Sequence, residues 1–260
     1  MKGLEKIRAK LAAKEPVIGT HVSLGDTMSS EMLSMAGFDF IWIDMEHTPM
    51  SNYDVLHHII AVENAGAASF IRIPYIDPVT VKPILEMGPA GIIFPNVKTK
   101  EDAELAVASC VYPLKGIRGF GPLRAQRYGL TDMADYVADC DKGLWKIMQI
   151  EHVDAVNNLE EILAVDGVDA IIVGSNDLSA SIGLLGQTGH PEVKKLMDTI
   201  CEKARKTDKP FGVSMGYNPP VIKEWIARGI NWIEAGGDVG YIMSAAKEAL
   251  NGTMEMFKNR

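Results

Sequence analysis

The stretch FIWID at residues 40–44, running on into Met45, Glu46 and His47, decides how this chain folds. An unbroken apolar run of this length, rich in aromatic and β-branched side chains, suits a strand buried on both faces, the kind that builds parallel sheets. The run ends on an acid, with an imidazole three residues further on. The same figure recurs along the chain. FIRIP at 70–74 carries Arg72, KIMQIE at 146–151 closes on Glu151, and AIIVGSND at 170–177 closes on Asp177. The first two, and again the last two, lie about one strand-plus-helix unit apart. Barrels of such units assemble a site by taking one functional side chain from the carboxyl end of each of several strands.

The remaining sequence keeps that rhythm. VIGTHVSL at 17–24 predicts a first strand, followed by a helix over 27–37 that stops at Gly37. FIWID is the second strand, with a helix over 51–66. SFIRIP at 69–74 is the third, with a helix from Pro78 to Met87, and GIIFPNV at 91–97 is the fourth, with its helix in KTKEDAELAVASC. The next stretch is about twice the usual length, so an insertion is expected. It contains YPLKGIRGFGPLRAQRYG at 112–129 and a short helix over 131–139. KIMQIE restores the pattern with a helix over 154–164, then VDAIIVG with a helix over 190–206. PFGVSM at 210–215 and INWIEAGG at 230–237 give the last two strands, with helices over 219–228 and 239–257. Eight strands alternating with eight helices predict an α/β fold, a closed (β/α)8 TIM barrel forming one domain over 1–260. No GxGxxG opens a helix after an early strand, so the signature of a dinucleotide-binding sheet is missing.

Composition narrows the functional classes. With 260 residues, 47% hydrophobic and 23% charged, the chain has ordinary globular proportions. Its net charge of −8 argues against nucleic acid as a partner, because that binding needs a basic face. Cys110, Cys140 and Cys201 are widely spaced and form no CxxC pair, which predicts reduced thiols in the cytoplasm. The start, MKGLEKIRAKLAAKEP, reads as a charged helix with no signal-peptide core. No run approaches the ~18 apolar residues of a membrane span.

Glu151 and Asp177 should stand on adjacent strands at one rim, where two carboxylates can hold a divalent cation and leave positions open for substrate and water. Each could instead cap a helix or form a salt bridge. Gln149 shares the strand face of Glu151. The small residues of GSNDLS suggest backbone amides at Gly174, Asn176 and Asp177 that could cradle a carboxylate, or merely a tight turn. In DMEH, His47 with Asp44 beside it has the make-up of a general base and the acid that orients it. A hydrogen-bonded loop histidine is the alternative. Arg72 lies in an apolar strand where an unpaired guanidinium would be costly, so it must meet a carboxylate or a bound anion. His21 could face the barrel interior, and Glu86 could support the site from behind. The glycine-rich GIRGFG with Arg118 suits a lid, a contact into another subunit's site, or a surface turn.

Together, GTHVSL, FDFIWIDMEHTP, FIRIP, YPLKGIRGFG, the MQIE strand end and VDAIIVGSNDLSASIGL through GHPEV resemble the HpcH/HpaI aldolases over nearly the whole chain. These class II, metal-dependent enzymes cleave 4-hydroxy-2-oxo acids to pyruvate and an aldehyde. The resemblance implies that Glu151 and Asp177 hold Mg²⁺, Mn²⁺ or Co²⁺, which the pyruvate carboxylate and keto oxygens would chelate. It also implies that Arg72 stabilises the enolate and that His47, oriented by Asp44, moves protons. Gln149 and the Gly174–Asp177 amides, Asn176 among them, would bind the pyruvyl group. It further implies a homohexamer, a trimer of dimers, with the last helix exchanged between protomers. Where family members often carry GPAD or GPSD, this chain has GSND.

Three rivals remain at this point. A class I aldolase would need a Schiff-base lysine, for which only Lys98 is near the rim, since Lys146 starts its strand. The others are an acyl-thioester lyase on the same scaffold and a non-catalytic pyruvate-binding oligomer.

Overall fold

Strands that are apolar on both faces must be covered on both, so each pairs in parallel with its neighbours and is roofed by the helix that follows it. The computed structural model describes residues 2–258. In it, eight parallel strands close on one another in sequence order. They are β1 (Val17–Val22), β2 (Phe40–Asp44), β3 (Ala68–Arg72), β4 (Gly91–Phe94), β5 (Trp145–Ile150), β6 (Ala170–Gly174), β7 (Phe211–Met215) and β8 (Trp232–Gly237). Helices α1 (Lys2–Ala12), α2 (Thr27–Met35), α3 (Asn52–Asn64), α4 (Pro78–Glu86), α5 (Lys100–Cys110) and α6 (Met133–Asp139) occupy the first half. The second half carries α7 (Val153–Asn157), α8 (Leu159–Ala164), α9 (Ser175–Ala180), α10 (Pro191–Ala204), α11 (Pro219–Ala227) and α12 (Asp238–Lys258). This is the (β/α)8 barrel that the sequence predicts.

Two elements differ from expectation. The helix over 154–164 breaks at Asn158 into α7 and α8. GSNDLS opens a short helix, α9, directly from the end of β6 instead of a loop.

The pleat sorts each strand into two faces. Ile41, Ile43, Ile71, Ile92, Met148, Ile150, Ile171, Val173 and Val213 point outward and pack beneath the helices. Phe40, Trp42, Phe70, Ile93, Trp145, Ile147, Ile172 and Trp232 point inward and fill the barrel. Gly19 belongs to the inner set, and a Cβ there would lie 2.3 Å from the Phe40 ring. Leu4 and Ile7 of α1 join the inner cluster and close its amino-terminal end. The opposite end is therefore the open one. Inward positions near the carboxyl ends of the strands carry His21, Asp44, Arg72, Gln149, Ser214 and Glu234, all polar.

The insertion between α5 and β5 is anchored by Arg118, which is buried. Its Nη2 donates to the Tyr136 hydroxyl (3.0 Å) and to Glu86 Oε1 (3.3 Å), and its guanidinium lies 4.5 Å from the Tyr112 ring centre. Arg118 is thus a buried anchor, a role not among those expected for 116–121, and Glu86 serves that anchor. No described helix is long and apolar enough to cross a membrane.

Candidate active site

Asp44 and Arg72 end neighbouring strands directly opposite each other in register. Both have inward parity, so they meet in the mouth of the barrel. Arg72 Nε donates to Asp44 Oδ1 and Nη2 to Oδ2, each at 2.8 Å, the fork-to-fork geometry that fixes a guanidinium in one plane. Nη1 lies 3.2 Å from Glu46 Oε2, and the guanidinium rests 5.1 Å from the Trp42 ring centre. His21 reaches the same acid from β1, with Nε2 3.4 Å from Asp44 Oδ2 and its ring stacked on Trp42. Burial opposes ionisation of Asp44, but the hydrogen bonds from His21 and Arg72 outweigh it and hold the carboxyl below its ordinary range.

That arrangement corrects the expected Asp44–His47 dyad. Asp44 points into the barrel and is occupied by Arg72 and His21. His47 lies beyond the strand end and is exposed, and the carboxylate beside its Nε2 is Glu46, at 3.6 Å. Sequence adjacency suggested a pair that the pleat separates. Arg72, expected to meet either a carboxylate or an anion, meets two carboxylates and still borders the cavity.

On the other side of the mouth stand β5 and β6. Glu151 immediately follows β5 and is only 4% exposed. Its Oε1 accepts from the Asn96 backbone N–H at 2.7 Å, and its Oε2 accepts from Gln149 Nε2. Burial pushes the Glu151 carboxyl up to about 7, helped by the negative charges of Glu46 and Asp177 and opposed by the Asn96 hydrogen bond. Burial also raises Glu46, with Arg72 working against it. Gly174 permits this packing, because a Cβ there would lie 2.7 Å from Glu151 Oε2 and 3.0 Å from Gln149 Nε2. As N-cap of α9, Gly174 offers no side chain to the N–H groups of the first turn. Asn176 and Asp177 sit in that turn, exposed, on the rim.

One cavity of about 450 Å³ joins the two sides and is lined by His47, Arg72, Gln149, Gly174, Asn176 and Asp177, among others. Two buried polar atoms in lining residues have no hydrogen-bond partner among the described residues, Gln149 Oε1 and Ser175 Oγ. Buried polar atoms are rarely left that way, so both call for water or a ligand. The donors on offer are carboxylate and amide oxygens, the hard set that Mg²⁺ and Mn²⁺ prefer. Among the described residues no group of three or more His, Cys, Asp or Glu side chains converges on one point. Two carboxylates, Glu151 and Asp177, would leave most positions of a six-coordinate ion to substrate oxygens and water. The residues fit such an ion. Among the described residues no lysine lines the cavity. Lys146 pairs with Asp169 at the far end of β5, at 2.9 Å.

Glu234, on the third wall, is a residue that the sequence reading missed. Ser214 on β7 and Glu234 on β8 are register partners with inward parity, and the Ser214 hydroxyl donates to Glu234 Oε2. Both line the cavity with His21. The signal was present in INWIEAGG, where an acid stands two residues after an inward tryptophan in an otherwise apolar strand.

The family model described as HpcH/HpaI aldolase/citrate lyase matches residues 18–245. The 5-keto-4-deoxy-D-glucarate aldolase of Escherichia coli K12 is 36% identical over 244 residues, covering 94% of each chain. Among solved structures, an HpcH/HpaI aldolase from Desulfitobacterium hafniense superposes with a TM-score of 0.89 at 29% identity, covering 95% of this chain and 96% of that one. An HpcH/HpaI aldolase/citrate lyase family protein from Burkholderia cenocepacia superposes with a TM-score of 0.90 at 30% identity, covering 96% and 99%.

Proposed function

We propose a reaction for this chain from one premise: it belongs to the HpcH/HpaI aldolase/citrate lyase family. It is a carbon–carbon lyase, a class II aldolase. The reaction proposed is reversible cleavage of a 4-hydroxy-2-oxo acid to pyruvate and an aldehyde. The observation that carries it is Glu151, a deeply buried carboxyl pushed up to about 7 at the rim, facing two further carboxylates and one guanidinium.

The resemblance to class II aldolases implies a divalent metal. A Mg²⁺, Mn²⁺ or Co²⁺ ion held by Glu151 and Asp177 would supply Lewis-acid polarisation of the 2-oxo group. The protein's own groups do the rest. The first-turn N–H groups of α9 bind the substrate carboxylate, with Asn176 and Gln149 orienting it. His47 takes the C4 hydroxyl proton, which its exposed position at the mouth allows. The C3–C4 bond then breaks, the aldehyde leaves, and the electron pair moves onto the C2 oxygen beside Arg72. That guanidinium counters charge which exists only as the bond breaks, so it speeds the step instead of merely tightening binding. Asp44 touches no reacting atom in this scheme. It positions Arg72, and Glu46 takes the place beside His47. Protonation at C3 releases pyruvate.

The protein would be a single cytoplasmic domain that assembles as a homohexamer, a trimer of dimers exchanging α12. Exposed apolar side chains along α12 favour that assembly. Exchange of deuterium into the methyl group of pyruvate tests the chemistry without any aldehyde. Exchange should vanish in chelator, return with Mn²⁺, and fall at least about 10²-fold in a folded Asp177→Ala variant. Exchange that survives chelation, or trapping of a pyruvate adduct by borohydride, would overturn the metal-dependent scheme and favour a Schiff-base lysine.

A further inference from the structure

The cavity has more polar wall than cleavage at the pyruvyl end uses. Arg72, Gln149, Gly174 and Asp177 occupy its β3, β5 and β6 side. The opposite side is built by β1, β7 and β8 and presents His21, Ser214, Glu234 and Asp238. Glu234 is 2% exposed, on a strand whose other inward side chain, Trp232, is part of the apolar fill. A carboxyl at that depth is costly unless something uses it. Its one side-chain hydrogen bond is with the Ser214 hydroxyl. Asp238 is likewise buried, its oxygens accepting from the backbone N–H groups of Ser23, Leu24 and Val239.

Apart from the His21 imidazole, the charged groups on this side have one sign. Among the described residues lining the cavity, Arg72 is the only guanidinium or ammonium, and Asp44 and Glu46 already hold it. A second carboxylate arriving at the β1–β7–β8 wall would meet two carboxylates, Glu234 and Asp238, against the single imidazole of His21, which already lies beside Asp44. Hydroxyl groups face no such penalty. They can donate to the carboxylate oxygens of Glu234 and accept from the Ser214 hydroxyl or the His21 ring.

We infer that Glu234, with Ser214 and His21, forms the subsite for the aldehyde half of the substrate and selects an uncharged, hydroxyl-bearing aldehyde over one that carries a carboxylate. This deepens the aldolase reading and rests on it. The preferred substrate is then a 3-deoxy-2-oxo monoacid of the aldonic type. A diacid, such as the glucarate derivative for which the Escherichia coli relative is named, is disfavoured. Burial pushes the Glu234 carboxyl up to about 7, opposed by the charge of His21 and the Ser214 bond.

A matched pair of aldehydes reads this directly. Glyceraldehyde and tartronate semialdehyde share a 2-hydroxyaldehyde core and differ in a terminal CH2OH against a carboxylate. In aldol addition to pyruvate, kcat/KM should favour glyceraldehyde by at least about tenfold in the native enzyme, since like charges at close range are strongly disfavoured. Glu234→Gln removes the charge at constant shape and should shrink that ratio at least about fivefold; Ser214→Ala should lower kcat/KM for glyceraldehyde more than for the semialdehyde. A native preference for the semialdehyde, or a ratio indifferent to Glu234→Gln in a protein with native thermal unfolding, would overturn the subsite. The native ratio alone decides the matter if the variant does not fold. Deuterium exchange into pyruvate by the native enzyme keeps the two readings apart. Exchange with the wrong aldehyde preference defeats only the subsite, whereas no exchange at all defeats the aldolase scheme.

Discussion

Asp44 and His47 are three residues apart and lie in different environments, and the difference is measurable. Asp44 is 1% exposed and holds both sides of a buried guanidinium. Removing one partner of a buried pair strands the other charge, at a cost of about 3–5 kcal/mol. Asp44→Ala should therefore lower stability by about that much in urea unfolding. His47→Ala, at an exposed site, should cost under about 0.5 kcal/mol yet lower turnover roughly 10²- to 10⁴-fold. Equal, small effects of the two substitutions on unfolding would sink the Asp44–Arg72 assignment. Sequence identified both residues as functional but assigned Asp44 the wrong partner. The reason is physical: a loop neighbour is close along the chain, while the side chain that Asp44 actually faces is set by strand register 28 positions away. Parity does reveal it afterwards, since Trp42 and Asp44 share a face and so do Phe70 and Arg72. The same parity places Ser214 against Glu234, a pair the sequence reading passed over because neither residue ends its strand.

At the scale of elements, strands and the glycine stops of helices were legible because period and chain-reversal chemistry are local. The helix at Ser175 was not. Its first turn follows the strand without a linker, and a Gly174 N-cap carries none of the side-chain signals that mark helix starts. The last helix shows the opposite limit, legible as a helix but not in what it touches. Only its beginning packs on β1 and β8, and Ile242, Met243, Leu250 and Met254 remain exposed along its 21 residues. Apolar side chains on a long helix need a covering surface. A second copy of the chain is the occupant proposed above. Leu250→Glu combined with Met254→Glu should then shift the protein from hexamer to smaller species in analytical ultracentrifugation. An unchanged hexamer would show that the outer half of α12 lies outside the interface, and a native monomer would remove the assembly altogether.

Across the whole molecule, the barrel carries its carboxylates in an uneven electrostatic balance. Eight inward strand ends supply Asp44, Glu234 and the neighbouring Glu46 and Glu151, against one buried arginine in the mouth. Glu151 and Glu234 are both raised from an ordinary 4.5 to about 7. Between those values the folded chain keeps protons that the unfolded chain has released, so stability falls as pH rises through the window and the full loss is reached above pH 7. Each group accounts for up to about 3 kcal/mol. Burial shifts Glu46 in the same direction. His58, buried and held below its ordinary range, acts the opposite way and only below about pH 6.5. The depressed Asp44 acts only in acid, below its ordinary range. The metal-free protein should accordingly melt at a lower temperature at pH 8 than at pH 5.5. A cation bound by Glu151 needs the carboxylate form, so Mn²⁺ should raise the melting temperature far more at pH 8 than at pH 5.5. Glu151→Gln should reduce the metal-free slope, leaving the share of Glu234, and abolish the Mn²⁺ increment together. Because melting involves no turnover, this reads the ion site separately from catalysis. An Mn²⁺ increment equal at both pH values, or undiminished in Glu151→Gln, would mean that the raised carboxyl at the end of β5 is not where the ion binds.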